Sequence, residues 1–241
     1  RQVERVADGP LDGPAGIRRL AAAAPESTVF AVTRGERTFL GATPERLVRA
    51  EGRTFRSVAM AGSIRRGGDP GEDDRLAAEL LASEKEREEQ GIVVDMLRET
   101  LAPLAERLAI APLPSVVRLR HVQHLATEVS GRLRASAGIL ALVERLHPTP
   151  AVGGAPRELA LDLIAEQEGL DRGWYASPLG WLDRQGDGEF VVAIRSGVLE
   201  GRSATLFAGC GIVADSDPER EWEESLVKLR ALASALGRSE P

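Results

Sequence analysis

The chain has 241 residues, 43% of them hydrophobic, and a formal net charge of −6; these are ordinary values for a globular domain. The acidic balance gives no electrostatic support to general nucleic-acid binding, and no apolar run approaches the length of a membrane span. A single cysteine, Cys210, excludes a disulfide framework and a multi-cysteine metal site, so the cytoplasm is the expected compartment.

Arg1 to Val6 reads as the end of a strand entered partway. Gly16 to Ala24 has the spacing of a short helix, with Ile17, Leu20 and Ala21 inward and Pro25 ending it. Thr28–Thr33, Thr38–Gly41, Leu47–Val48 and Phe55–Met60 alternate with turn residues, a pattern of antiparallel hairpins. Ala61 to Gly71 is a glycine-rich basic loop without the lysine and spacing of a Walker A sequence. Its Gly62 and Ser63 backbone donors are candidates for holding an anion.

Asp73 to about Leu101 predicts one long helix whose face through Val93 and Met96 runs back through Glu89 and Glu86. Two carboxylates on an inward face suit a solvated charge run or a polar cleft. His121 and His124 lack a zinc constellation, and His124 suits a structural hydrogen bond or a polar pocket wall. Val116–Leu119 and Glu128–Leu133 read as strands, Ile139–Leu146 as a helix, and His147 to Pro156, with three prolines and Gly153-Gly154, as a rigid connector. A helix over Arg157–Gln167 follows. Trp174 and Tyr175 read as packing residues.

Glu189–Ile194 predicts a strand, and Arg195 after it suits an ion pair or a carboxylate clamp. Thr205–Val213 is a strand leading into glycines, with Cys210 a small buried residue lacking a base. Ser216 and Glu219 have capping-box spacing at the start of the last helix. On that helix Glu221 and Glu224 share a face, with Lys228 one turn on: an exposed ion pair, or a second acidic contribution to a divalent-metal site. Residues 238–241 are expected to fray.

These pieces together resemble the chorismate-utilising enzymes related to anthranilate synthase component I, and within them the isochorismate synthases. The resemblance is carried by Phe39-Leu-Gly-Ala-Thr-Pro-Glu-Arg-Leu47, Ala61-Gly-Ser63, Ser83-Glu-Lys-Glu-Arg-Glu-Glu89, His124-Leu-Ala-Thr127 and His147-Pro-Thr-Pro-Ala-Val152. Gly173-Trp-Tyr175, Gly188 to Arg195, Phe207 to Val213 and Glu221-Trp-Glu-Glu224 complete it. The His147–Gly154 segment looks like the isochorismate-forming pattern and differs from that of anthranilate- and aminodeoxychorismate-forming relatives.

The resemblance implies an α/β (α+β) catalytic domain over residues 1–241, with large mixed or antiparallel sheets and outer helices. It implies a monomer acting on chorismate with Mg2+, adding water at C2 and losing the C4 hydroxyl. Glu45 matches the general acid. Glu89 and Glu224 match the principal Mg2+ ligands, with Glu86 and Glu221 beside them. Gly62 and Ser63 match a carboxylate-side loop, Arg195, Gly209 and Lys228 the carboxylate-holding groups, and His124, Ala151 and Val152 the pocket wall. The family's base lysine matches no residue here. Arg1 aligns with the end of its segment, so an N-terminally incomplete chain with little turnover is expected. Thr43, Gln90, Gly153 and Cys210 depart from residues common in the family. Salicylate synthase and a noncatalytic chorismate-binding remnant are the alternative readings, and quinone and siderophore pathways both stay open.

Overall fold

The computed structural model describes residues 2–7, 9–120, 122–135 and 137–235. The elements run β1 (Gln2–Val6), α1 (Gly13–Ala23), β2 (Thr28–Arg34), β3 (Arg37–Thr43), β4 (Arg46–Glu51), β5 (Thr54–Arg65), α2 (Pro70–Ala82) and α3 (Glu84–Leu101). They continue with β6 (Ala105–Ile110), β7 (Ser115–Arg118), β8 (Val122–Leu133), α4 (Ile139–Leu146), α5 (Pro150–Gly153) and α6 (Arg157–Gln167). β9 (Pro178–Leu182), β10 (Gly188–Val192), β11 (Ser196–Glu200), β12 (Ser203–Phe207) and α7 (Pro218–Ala235) complete the order.

One sheet has the order β1-β12-β11-β3-β2, and the other β6-β8-β5-β4-β10-β9, with β7 also paired to β8. Every described pairing is antiparallel. The mixed-sheet option therefore drops out. The reason is local: two-residue turns such as Gly35-Glu36, with Gly35 at φ 61°, fold a strand directly onto its predecessor.

Each sheet buries a face under helices. Leu20 of α1 and Leu229 of α7 meet Leu40 and Leu206 of the first sheet. Leu97 and Leu101 of α3 and Leu142 and Leu146 of α4 meet Phe55 and Val48 of the second. Full burial of such a side chain contributes about 1.5–3 kcal/mol, so these two faces hold the layers together.

The chain passes from the first sheet to the second between β3 and β4, and back between β10 and β11. The two passages are bonded to each other. Thr43 Oγ1 donates to Val192 O at 2.7 Å, Val192 N donates to Glu45 O at 3.0 Å, and Ala42 N donates to Arg195 O at 3.2 Å. Thr43 Oγ1 also accepts from Glu45 N at 3.2 Å. The departure from serine at position 43 thus keeps the hydroxyl that joins the passages.

Several expected elements are redrawn. Ala61–Arg65 is not loop: it extends β5, with a bulge at Gly62 (φ 77°) between Ala61 and Ser63. The single helix over Asp73–Leu101 is two, broken at Ser83, whose backbone is extended and whose hydroxyl accepts from Glu86 N. Glu128–Leu133 is the far half of a twelve-residue strand that also contains His124. The cap of α7 is Asp217, accepting from Arg220 N at 3.0 Å, while Ser216 accepts from Val213 N. The rigid connector holds a helical turn, α5, and its Gly153 lies where a Cβ would come within 2.8 Å of Pro148. β6, β9 and β11 were not foreseen, because short strands of mixed polarity carry little periodicity. The start of the chain is a strand, β1, on β12. Arg1, His121 and the tail 237–241 lie outside the described residues.

Gln90 closes the bulge from behind. Its side chain accepts from Ala61 N at 2.8 Å and donates to Ala59 O at 2.9 Å and Thr127 Oγ1 at 3.0 Å. Gln90→Ala leaves these buried groups unpaired, and a loss of about 2–4 kcal/mol is expected in chemical denaturation.

Candidate active site

Where the sheets meet, a cavity of about 110 Å3 is lined by Glu45, His124, Arg195, Lys228 and Glu89. Gly62, Ser63, Ala151, Val152 and Gly209 also reach its wall. Glu45 and Arg195 come from the two passages between sheets. The β5–β8 register sets Ser63 opposite His124.

Glu45 is 8% exposed. Burial pushes its pKa up to about 7, against the smaller lowering effects of Lys228, the Thr149 hydroxyl and Arg195. Thr149 Oγ1 donates to Glu45 Oε1 at 3.5 Å. Thr149 is the cap residue of α5, so the proline-rich connector places a donor on the buried acid as well as Ala151 and Val152 on the wall.

His124 is held neutral: burial, then Arg195 and Lys228, lower its pKa well below the ordinary value. Arg195 Nη2 lies 2.7 Å from His124 Nε2. A guanidinium only donates, so Nε2 carries the lone pair and Nδ1 the hydrogen. That hydrogen goes to Ser63 Oγ at 2.9 Å, with Gly62 O at 3.3 Å. The Ser63 hydroxyl hydrogen is thereby left to point elsewhere. The Ser63 backbone donor, expected to hold an external anion, is spent on Glu86 Oε2 at 2.8 Å.

Arg195 has a left-handed backbone (φ 49°), which turns its side chain into the site where the strand would otherwise continue. Its Nε is buried without a hydrogen-bond partner. Burial lowers its pKa to about 10, leaving it charged at neutral pH. A buried cation with an unused donor is arranged for an anion.

Beside the cavity, four glutamates converge from two helices. Glu86 and Glu89 occupy the first two turns of α3, where the helix dipole favours negative charge, and Glu221 and Glu224 the first two of α7. Lys85 Nζ lies 2.8 Å from Glu221, 3.0 Å from Glu86 and 3.9 Å from Glu89. Lys228 Nζ bonds Glu224 at 2.6 Å and Gly209 O at 3.0 Å. Burial raises the Glu89 pKa to about 7 despite Lys85.

The residues fit a hard divalent cation. The donors are carboxylate oxygens, and Glu221 Oε2 is buried without a partner. Glu221 and Glu224 place ligand atoms within 4.8 Å of each other and of Cys210 Sγ. Gly211 lies against them: a Cβ there would stand 2.2 Å from Glu89 Oε1, so the carboxylate would have to shift. Glu89 faces the inner cavity, whereas Glu86, Glu221 and Glu224 line an adjoining cleft of about 560 Å3. An ion among them would bridge solvent and cavity.

The residues that the resemblance marked thus line this cavity or the adjoining cleft. The Glu224–Lys228 pair is partly buried and part of the site, not a surface pair. Tyr175, read as packing, does stack on Phe207 with centroids 5.2 Å apart, and it also lines the cavity. Burial pushes its hydroxyl up to about 12. Arg172, which donates to Val152 O at 2.7 Å, and Thr149 and Lys85 were missed. Only Thr149 and Lys85 carried a signal, each lying within a quoted motif. Cys210 donates to Glu221 O at 3.0 Å, and burial drives its thiol up to about 12, in keeping with an inert side chain.

The raised Glu45 pKa has a consequence for stability. Protonation is favoured by folding, so the contribution is fully present below the ordinary value of 4.5 and lost as pH rises through about 7. Glu45→Gln is expected to raise the melting temperature by about 2 °C or more at pH 8 and to leave it unchanged near pH 4 in thermal scans.

A family profile described as Chorismate binding enzyme matches residues 1–237. The salicylate biosynthesis isochorismate synthase of Pseudomonas aeruginosa is 51% identical over 211 residues, covering 88% of this chain and 44% of that protein. Isochorismate synthase MenF of Bacillus subtilis is 47% identical over 230 residues, 95% of this chain and 49% of that protein. The chain spans about half the length of these curated relatives. The structure of MenF, the menaquinone-specific isochorismate synthase of Escherichia coli, superposes with a TM-score of 0.89 at 34% identity, over 98% of this chain and 54% of that one. The family resemblance read from the motifs is therefore sound, and the chain belongs to the chorismate-binding enzyme family.

Proposed function

We propose that the protein is an isochorismate synthase, converting chorismate to isochorismate by addition of water at C2 with loss of the C4 hydroxyl. The observation that carries this reading is the single cavity in which a buried carboxyl with a pKa of about 7, Glu45, faces the cations of Arg195 and Lys228 beside four glutamates. The isochorismate synthases among the relatives support the same reaction.

Chorismate is a dicarboxylate, and the site offers matching charge at two places. Arg195, with its unused Nε, would take one carboxylate, and Lys228 would stand beside it over the Gly209 backbone. Mg2+ at Glu89 and Glu224, with Glu86 and Glu221 beside them, would neutralise and orient the C1 carboxylate. His124, neutral and fixed in one tautomer between Arg195 and Ser63, keeps the guanidinium aimed at the cavity. Glu45 keeps its proton at a pH where an ordinary carboxylate has lost it, and would give it to the departing C4 hydroxyl. Lys85 and Lys228 are the chain's two lysines, and both are bonded to glutamates, so neither is poised to take a proton from the attacking water.

Incubation with chorismate and Mg2+, with chromatographic separation of products, is expected to give isochorismate slowly, since neither lysine of the chain is poised as the base. Salicylate with pyruvate would move the assignment to a salicylate synthase, and Mg2+-dependent binding without product would leave a chorismate-binding protein. Glu45→Gln is expected to lower kcat by about 10²–10⁴-fold with a smaller change in KM, and the wild-type rate to fall above about pH 7 as Glu45 ionises. Calorimetric titration should show Glu224→Gln weakening Mg2+ binding by at least about tenfold.

A further inference from the structure

Lys85 stands among the glutamates read as the Mg2+ site. Its ammonium is within 3.0 Å of carboxylate oxygens of Glu86 and Glu221 and 3.9 Å from Glu89, so it joins α3 to α7 through three of the four glutamates. Its side chain is only 18% exposed. A cation bound to those oxygens at Mg2+ distances and an ammonium in hydrogen-bond contact with them cannot share the space. Two positive centres that close in a partly buried site also repel.

The residue type fits the role. Of the 31 basic side chains in the chain, all but Lys85 and Lys228 are arginines, and both lysines sit in this cluster. An arginine fork would clamp a carboxylate through two bonds. Lysine holds it as a point charge on a flexible stem and can leave. The cleft beside the cluster, about 560 Å3 and lined by Lys85 itself, gives the side chain somewhere to go. Without either cation Glu86, Glu89 and Glu221 would be left facing one another partly buried, with Lys228 paired only to Glu224, a costly arrangement.

We propose that Lys85 is a resident counter-ion for the Mg2+ site: it neutralises the glutamates and ties α3 to α7 in the metal-free protein, and metal binding expels its ammonium into the cleft. This rests on the reading that Mg2+ binds at these glutamates. Metal affinity in the absence of substrate is then set partly by the bond that Lys85 must give up. The device keeps the empty site folded and ties metal entry to a movement of one side chain at the α3–α7 junction.

The test is direct Mg2+ binding by calorimetry, with melting temperature as a second readout. Lys85→Met is expected to tighten Mg2+ binding by about tenfold while lowering the melting temperature of the metal-free protein, so that Mg2+ stabilises the variant more than the wild type. Lys85→Arg is expected to weaken Mg2+ binding. A second measurement needs no altered protein for its readout. With two lysines, the Nζ spectrum of isotope-labelled wild type holds two signals, which Lys85→Arg assigns. Saturating Mg2+ should convert the Lys85 signal from a protected, ion-paired state to one in rapid exchange with solvent. Unchanged or weaker Mg2+ binding in Lys85→Met, or a Lys85 signal that Mg2+ leaves protected, overturns the proposal. If Glu224→Gln still weakens Mg2+ binding in that case, the metal site stands and the counter-ion role alone falls. If Mg2+ binds neither wild type nor Lys85→Met, both fall.

Discussion

The structure depends on the bonds between the two passages that carry the chain from one sheet to the other. Thr43 and Glu45 on one passage are tied to Val192 on the other, and Ala42 to Arg195, through hydroxyl and backbone hydrogen bonds buried between the layers. Backbone groups so buried must be paired somewhere, and here they pair with each other. The same bonds that keep two sheets as one body therefore fix Glu45 and Arg195 on facing walls of one cavity. A strand that simply ended would leave either residue on a mobile loop. Here each lies between the ends of two interior strands, Arg195 with the help of its left-handed backbone.

Charge is organised around that frame. Burial raises the pKa of Glu45 and lowers that of His124, so both are neutral where their ordinary counterparts would be charged or close to it. Arg195 remains a cation, with one edge spent on His124 and Nε unspent. The glutamates lie to the side, on two helix N-termini rather than on the sheets. This separation lets a buried acid and a cluster of carboxylates exist a short distance apart, with burial rather than the cluster setting the state of Glu45. Lys85 and Lys228 stand between the carboxylates and complete the balance.

Much of the fold was legible in the sequence, for specific reasons. The hairpins around Gly35 and Gly52 are marked by turn residues between alternating runs, and Ile139–Leu146 is helical by its spacing. The break at Ser83 was harder to see because helix formers flank it on both sides. Only the extended backbone of Ser83 shows that it caps one helix and ends another. The glycine-rich stretch after Ala61 looked like a loop because Gly62 is a bulge, and a bulge and a turn ask for the same residue. Tyr175 was read as packing because it does pack, on Phe207, while also lining the cavity.

The sequence by itself determined the family, the acidic residue set and the presence of an acid in a Thr-Pro-Glu segment, because motifs record which side chains the chemistry requires and in what order. It could not determine which of them meet. Glu45 and Thr149, or Lys85 and Glu221, are more than a hundred residues apart. Their contacts follow from sheet order, from the bulge that sets Ser63 against His124, and from the approach of the first turns of α3 and α7, none of which has a local signature. The pKa shifts come from the same source. Burial dominates the shifts of Glu45, Glu89 and His124, and burial is a property of the packed layers, decided only when both sheets and their helices have closed around the site.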